Sequence, residues 1–129
     1  MSRVARGIMY GAVAVLALAT LASMASRLLG FEYALLAPLS FLVYAGVGAY
    51  VGLAAPVSRA TLSGGAVGAI DATLGWMISY AIGPGRPGPG ERITVLGFVN
   101  TLLFVACLAA VSGAIGGWIA ARLRCRRAG

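Results

Sequence analysis

Four long apolar runs constrain this chain more than any other feature of its sequence. They cover residues 7–25, 33–54, 62–82 and 95–121. At a rise of about 1.5 Å per residue, a helix needs roughly 20 apolar residues to cross a hydrocarbon layer about 30 Å thick. Only 10% of the 129 residues are charged, too few to give a water-soluble domain its polar surface. The sequence therefore predicts an all-α, polytopic membrane four-helix bundle, a single domain over residues 1–129.

The arginines predict the orientation of this bundle. All 10 basic residues are arginines, and none interrupts an apolar run. With both termini in the cytoplasm, seven of them lie on the inner face, and only Arg27, Arg86 and Arg92 lie on the outer face. The positive-inside rule thus predicts N-in and C-in. The last four arginines are expected to form a basic anchor that contacts anionic lipid at the inner face, and not nucleic acid: Arg122, Arg124, Arg126 and Arg127.

The connections divide the chain into two tandem helical hairpins. The last connection, residues 83–92, has three prolines and four glycines in ten residues, which predicts an extended outer loop. The hairpins show weak similarity to each other, since YGAVAVL in the first helix matches GGAVGAI in the third, and GAYVGLAA in the second matches GGWIAARL in the fourth. This similarity indicates either a parallel duplication or coincidence in a chain rich in small residues.

One helix end carries a family resemblance. The fourth span ends in Gly-Gly-aromatic-aliphatic-Ala-x-Arg, residues 116–122, and it pairs with Gly/Ala-rich helices. This pattern resembles that of uncharacterised small four-helix membrane proteins of bacteria and archaea. The resemblance implies a prokaryotic cytoplasmic membrane and brings no activity with it.

Small residues at helical spacing predict where the helices pack. In lipid, helices associate through close packing and hydrogen bonds, so small residues three or four positions apart mark a contact face. The second and third helices carry matching stripes, and we expect these two helices to pack through them. The small residues of the three stripes are Gly48 and Gly52 in the second helix, Gly64, Gly68 and Gly75 in the third, and Gly113 and Gly117 in the fourth.

Asp71 is the acid that lies within an apolar run, on the same face as Gly68 and Gly75. Counted from the short turn between the second and third helices, Tyr44 lies at the same depth, so we expect its hydroxyl to hydrogen-bond the Asp71 carboxyl. A charged aspartate at the bilayer centre costs about 2.5 to 3.5 kcal/mol on insertion scales, and no span contains a cation. A paired or neutral acid is therefore expected, serving as structural glue or as a proton or cation site.

The remaining residues favour no enzyme. The chain has no histidine, and Cys107 and Cys125 would lie roughly 27 Å apart on one helix, too far for a disulfide. We find no nucleophile with a base, no phosphate loop and no metal-ligand cluster, and so expect no catalytic residue, metal or cofactor. The predicted role is an accessory or scaffold subunit of a larger membrane complex, or a self-associating bundle. The alternative is a small oligomeric proton or ion channel or transporter that uses Asp71.

Overall fold

The computed structural model describes residues 1–128, and their side chains as far as residue 126. Within this part of the chain the fold is all helical, and four helices are long and apolar enough to cross a membrane, which confirms the predicted fold class. Helix α2 follows a 3-10 turn over Tyr33–Leu36. The helices are α1 (Arg3–Leu29), α2 (Ala37–Gly52), α3 (Val57–Ile82) and α4 (Val95–Ala128).

The bundle has two ends that differ in their connections. The two chain ends and the α2–α3 connection lie at one end, which we call the termini end. The α1–α2 and α3–α4 connections lie at the other, which we call the loop end. Three helices run past the predicted apolar segments at the termini end, α1 from Arg3, α3 from Val57 and α4 to Ala128. These extensions carry seven of the ten arginines, whose long side chains let a helix continue beyond the apolar layer while the charge stays in water.

Local sequence sets the helix ends. The Ser2 hydroxyl accepts a hydrogen bond from the Ala5 N–H (3.2 Å), and the Thr94 hydroxyl accepts one from the Gly97 N–H (3.1 Å), so a side chain caps the start of α1 and of α4. Gly30 follows α1 with φ 71°, a left-handed conformation that favours glycine. The Arg27 guanidinium donates to the carbonyl of Ile82 (2.8 Å), so a cation of α1 caps the end of α3.

Helices α2 and α3 occupy the centre of the bundle. They contact each other, and each also contacts both α1 and α4. Among the described residues, α1 and α4 do not approach one another. On α1, Gly7 and Gly11 allow the close approach of this helix, because a Cβ at Gly11 would lie 2.8 Å from the Val67 side chain. These two glycines lie outside the small-residue stripes predicted from the sequence.

The prediction that the glycines of α2 and α3 face each other is wrong. The glycines of α2, together with Gly64 and Gly68 of α3, face α4 instead: Gly48 lies against the backbone of Gly113, and a Cβ at Gly52 would meet the Gly117 Cα at 2.7 Å. From the other side, a Cβ at Gly64 would lie 2.9 Å from the Gly113 Cα. Equal depth in the membrane does not identify which helix a glycine packs against. Glycines at the same level on two neighbouring helices can both face a third helix that packs against the pair.

Candidate functional site

The helical hydrogen-bonding pattern of α3 changes at Asp71. Residues Asp71–Gly75 form a π-helical turn between two α-helical segments, and the Trp76 N–H donates to the carbonyl of Asp71, five residues back. The Thr73 hydroxyl donates to the carbonyls of Ala69 (2.8 Å) and Ile70 (3.2 Å). It therefore contributes a hydrogen bond to the backbone carbonyls that precede the π-helical turn. Turns of this kind, which interrupt α-helices, are frequently found at functional sites. Nothing in the apolar sequence around Asp71 predicts it.

Asp71 and Tyr44 are in direct contact. The Tyr44 hydroxyl donates a hydrogen bond to Oδ2 of Asp71, the pairing that the depth matching predicts. The Tyr44 side chain is only 1% exposed, and the Phe41 ring packs edge-on against it with centroids 5.9 Å apart, so its hydroxyl is held in position. The other carboxylate oxygen lies beside Gly75, where a Cβ would be 2.5 Å from Oδ1. Gly75 therefore contributes to this site by making room for the carboxylate.

Further hydroxyl groups surround this pair. Tyr33 lies near Asp71, with Ser23 of α1 and Ser79 of α3 beside its hydroxyl, and Ser40 lies near both Tyr44 and Asp71. The hydroxyls of Ser23 and Ser79 are buried and have no hydrogen-bond partner of normal geometry within the described residues. In an apolar medium such groups cost free energy, so their presence needs a reason.

Sequence reasoning missed these hydroxyl groups. Ser23 is buried at a four-residue step after Val15 and Ala19 on α1, so the small-residue spacing of that helix could have identified it. Ser79 is buried four residues after Gly75, so the stripe of small residues in α3 could have identified it as well, whereas no such pattern marks Tyr33. Their place in the site depends on the 3-10 turn before α2 and on the π-helical turn in α3.

Two cavities meet at Asp71. One, of about 470 Å³, lies between α3 and the loop-end part of α4 and extends to the loop residue Arg92. The other, of about 260 Å³, lies among α1, α2 and α4. Asp71, Tyr33 and Val105 line both. The carboxylate thus lies where the close glycine contacts of α2 and α3 with α4 give way to a more open part of the bundle at the loop end.

The other predicted site residues lie away from this centre. Gly48, Gly52, Gly64, Gly68, Gly113 and Gly117 are buried in the contacts with α4 between Asp71 and the termini end. In the basic anchor, Arg122, Arg124 and Arg126 are exposed, and the Arg122 guanidinium stacks over the Trp118 ring at 4.0 Å. The side chain of Arg127 lies outside the described part of the chain.

The fold and the site together define a polytopic, all-helical integral membrane protein with one carboxylic acid at mid-bundle. Such an acid can hold a proton, accept hydrogen bonds or pair with a cation. Comparison with protein-family models, with curated proteins and with solved structures finds no match to this chain.

Proposed function

We propose that this protein is a non-catalytic accessory or scaffold subunit of a larger membrane complex, and that it docks through the outward face of α4. In this proposal the chain lies N-in and C-in in a prokaryotic cytoplasmic membrane. The exposed arginines of α4 then contact anionic lipid at the inner face.

The observation that supports the proposal is an unpaired amide on α4. Asn100 is exposed, and its side chain has no hydrogen bond within the described residues. The neighbouring polar side chains differ, since the hydroxyls of Thr101 and Ser112 donate to carbonyls of their own helix. A carboxamide has two donors and an acceptor, so it cannot satisfy itself in this way.

The depth of Asn100 makes this amide costly in a membrane. Val105 lines the cavities beside Asp71, and the Phe98 ring packs on Trp76 with centroids 5.5 Å apart. Asn100 therefore lies between the levels of Asp71 and Trp76, well within the apolar part of the bundle. Water competes poorly for an amide within the apolar layer, so a hydrogen bond from Asn100 to another transmembrane helix would stabilise association by about 0.6 to 2 kcal/mol.

The test is purification in mild detergent with and without the amide. We expect stoichiometric partner proteins to copurify with the wild-type chain and to be lost from Asn100→Leu. Thr101→Val is the matched control, because it removes a polar group at the same depth that is already satisfied within α4. Equal recovery of partners with both variants would contradict docking through this face.

A second measurement identifies self-association. Cys107 is exposed and lies seven residues after Asn100, on the same side of α4. If the docking partner is a parallel second copy, a mild oxidant will cross-link Cys107 in a Cys125→Ser background, and Asn100→Leu will reduce the yield. A pure homo-oligomer with pH-dependent ion flux in liposomes would overturn the subunit proposal.

A homo-oligomer with pH-dependent ion flux would support the second candidate function, a small oligomeric proton or ion transporter. The observation that favours it is the position of Asp71 where two cavities meet, with buried hydroxyl groups nearby. Flux abolished by Asp71→Asn and retained in Glu32→Gln would establish it, because the amide keeps the hydrogen bond from Tyr44 and removes the exchangeable charge. Glu32 is an exposed acid at the loop end.

A further inference from the structure

The larger cavity has the dimensions of a small-molecule site. Its volume of about 470 Å³ is within the range of ligand pockets, roughly 300 to 1,000 Å³. It lies between α3 and the loop-end part of α4, and its walls are mainly apolar, with few polar groups. The aromatic rings of Trp76 and Phe98, with centroids 5.5 Å apart, both line it. A ligand here would contact an aromatic wall and a small number of polar atoms.

Two of those polar groups have unused hydrogen-bonding capacity. Oδ2 of Asp71 accepts the hydrogen bond from Tyr44, and Ser40 lies near the carboxylate, whereas Oδ1 accepts no hydrogen bond of normal geometry within the described residues. The Ser79 side chain lines the same cavity and is 1% exposed, and its hydroxyl lies beside that of Tyr33 without a hydrogen bond of normal geometry. A buried hydroxyl that is left unsatisfied in a cavity wall indicates a missing partner in the cavity.

The charges around the cavity favour a cation as that partner. No arginine pairs with Asp71 in the described part of the chain, so its carboxylate has no counter-charge from the protein. Arg92 is the cation that lines the cavity, and it belongs to the exposed loop at the other end from Asp71. An ammonium group on the ligand would compensate the carboxylate in a medium of low dielectric, and aromatic faces add to the attraction of cations.

We propose that this cavity binds a lipophilic organic cation, an ammonium group carried on an apolar or aromatic body. The ammonium group lies at Oδ1 of Asp71, and the body lies along the wall formed by Trp76 and Phe98. Where the ammonium carries an N–H, it bonds the carboxylate directly; where it is quaternary, the attraction is electrostatic. The Ser79 hydroxyl contributes a polar contact on the same side. This inference is independent of the subunit role, since neither Asn100 nor the outward face of α4 takes part.

The experiment uses tryptophan fluorescence of the full chain in phosphatidylcholine nanodiscs. The chain has two tryptophans, and Trp118 lies near the termini end, so Trp118→Phe leaves Trp76 as the sole reporter within the cavity wall. The probes are benzyltrimethylammonium and neopentylbenzene, its uncharged carbon isostere. The two molecules have nearly the same shape and differ in charge, so the comparison isolates the electrostatic contribution.

We expect benzyltrimethylammonium to change Trp76 fluorescence with a saturable isotherm, and neopentylbenzene to bind at least about tenfold more weakly. Asp71→Asn should weaken ammonium binding by about tenfold or more, whereas Glu32→Gln should leave it unchanged. Ser79→Ala should have a smaller effect, about two- to threefold.

Equal binding of the two probes to the Trp118→Phe chain with Asp71 intact would overturn the proposal and identify an apolar cavity that lipid chains fill. Ammonium binding that persists undiminished in Asp71→Asn would overturn it as well. Saturable binding of the neutral ring compound duroquinone, together with no response to benzyltrimethylammonium, would also overturn the proposal. It would indicate that Asp71 and Ser79 bind a ligand through its carbonyl oxygens. Because the two probes are compared on the Trp118→Phe chain with Asp71 intact, the test stands even if Asp71→Asn fails to fold.

Discussion

The two halves of this bundle are built differently. In the termini half, α2 and α3 meet α4 through glycines, with backbone against backbone at Gly48 and Gly113. In the loop half, the same helices separate around two cavities, and the contact surfaces carry hydroxyl groups and a carboxylate. The change occurs within about one turn of Asp71, where α3 has its π-helical turn. One half of the bundle therefore holds the helices together, and the other holds the polar groups.

This difference shows how a small membrane protein can tolerate a costly site. Helix association in lipid depends on close van der Waals packing, and glycine allows the closest approach. The stability gained in the termini half offsets the unsatisfied hydroxyls and cavities of the loop half. Substitutions in the two halves should consequently change the free energy of unfolding by different amounts and even in opposite directions.

The largest effect is expected from Gly48→Ala in the termini half. A Cβ at Gly48 would meet the Gly113 Cα at 2.6 Å, and backbone atoms cannot move aside as a flexible side chain can. We expect α2 and α4 to be forced apart, with a loss of about 2 to 3 kcal/mol in the free energy of unfolding. Unfolding in mixed detergent and dodecyl sulfate micelles measures it.

Gly46→Ala is the control for that prediction. It lies two residues away on the same helix, with open space around its Cα, and should be neutral or slightly stabilising. Equal destabilisation by the two variants would mean that α2 and α4 do not pack as described.

Tyr44→Phe should have an intermediate effect at the boundary between the halves. It removes the donor to Asp71 and leaves the buried ring in place. Hydrogen bonds between membrane helices contribute about 0.6 kcal/mol on average and about 1.7 at most, so a loss of about 1 kcal/mol is expected in the same unfolding assay. Tyr10→Phe, at an exposed tyrosine of α1, is the matched control and should change nothing.

Gly75→Ala should lower the free energy of unfolding less than Tyr44→Phe does, although it disturbs the same contact between Tyr44 and Asp71. The added Cβ would lie 2.5 Å from Oδ1 of Asp71 and 3.6 Å from the Ala19 side chain, so the carboxylate can move while the backbone stays. The gain in helix propensity, about 1 kcal/mol, offsets much of the strain. The informative measurement is a double-mutant cycle, in which Tyr44→Phe should cost less in the Gly75→Ala background. Fully additive losses would show that Gly75 does not position the carboxylate.

The smallest effect, and the one of opposite sign, is expected from Ser23→Ala in the loop half. Its hydroxyl is buried without a partner, so removing it should raise the free energy of unfolding by up to about 1 kcal/mol. Ser26→Ala on the same helix removes a satisfied hydrogen bond to the carbonyl of Phe31 (2.7 Å) and should lower it by a similar amount. Destabilisation by Ser23→Ala would imply that this hydroxyl has a partner in the membrane.

The central pair of the site, Tyr44 and Asp71, follows from the sequence through depth and spacing. The short α2–α3 turn fixes which residues of the two helices lie at the same level, and this level brought Tyr44 and Asp71 together. The glycine partners could not be obtained in this way. Spacing along a helix identifies a face, but three helices meet here, and the facing partner depends on where α4 lies.

The sequence by itself determined that the chain forms four membrane-length helices, because hydrophobic length and glycine-rich connections are properties of consecutive residues. It also determined which small residues and which acid share a helical face. Only the tertiary structure decided that α4 receives the glycines of both α2 and α3, that α3 widens into a π-helical turn at Asp71, and that two cavities meet there. These features arise from contacts between residues far apart in the chain, and no local pattern specifies which helix fills the space beside another.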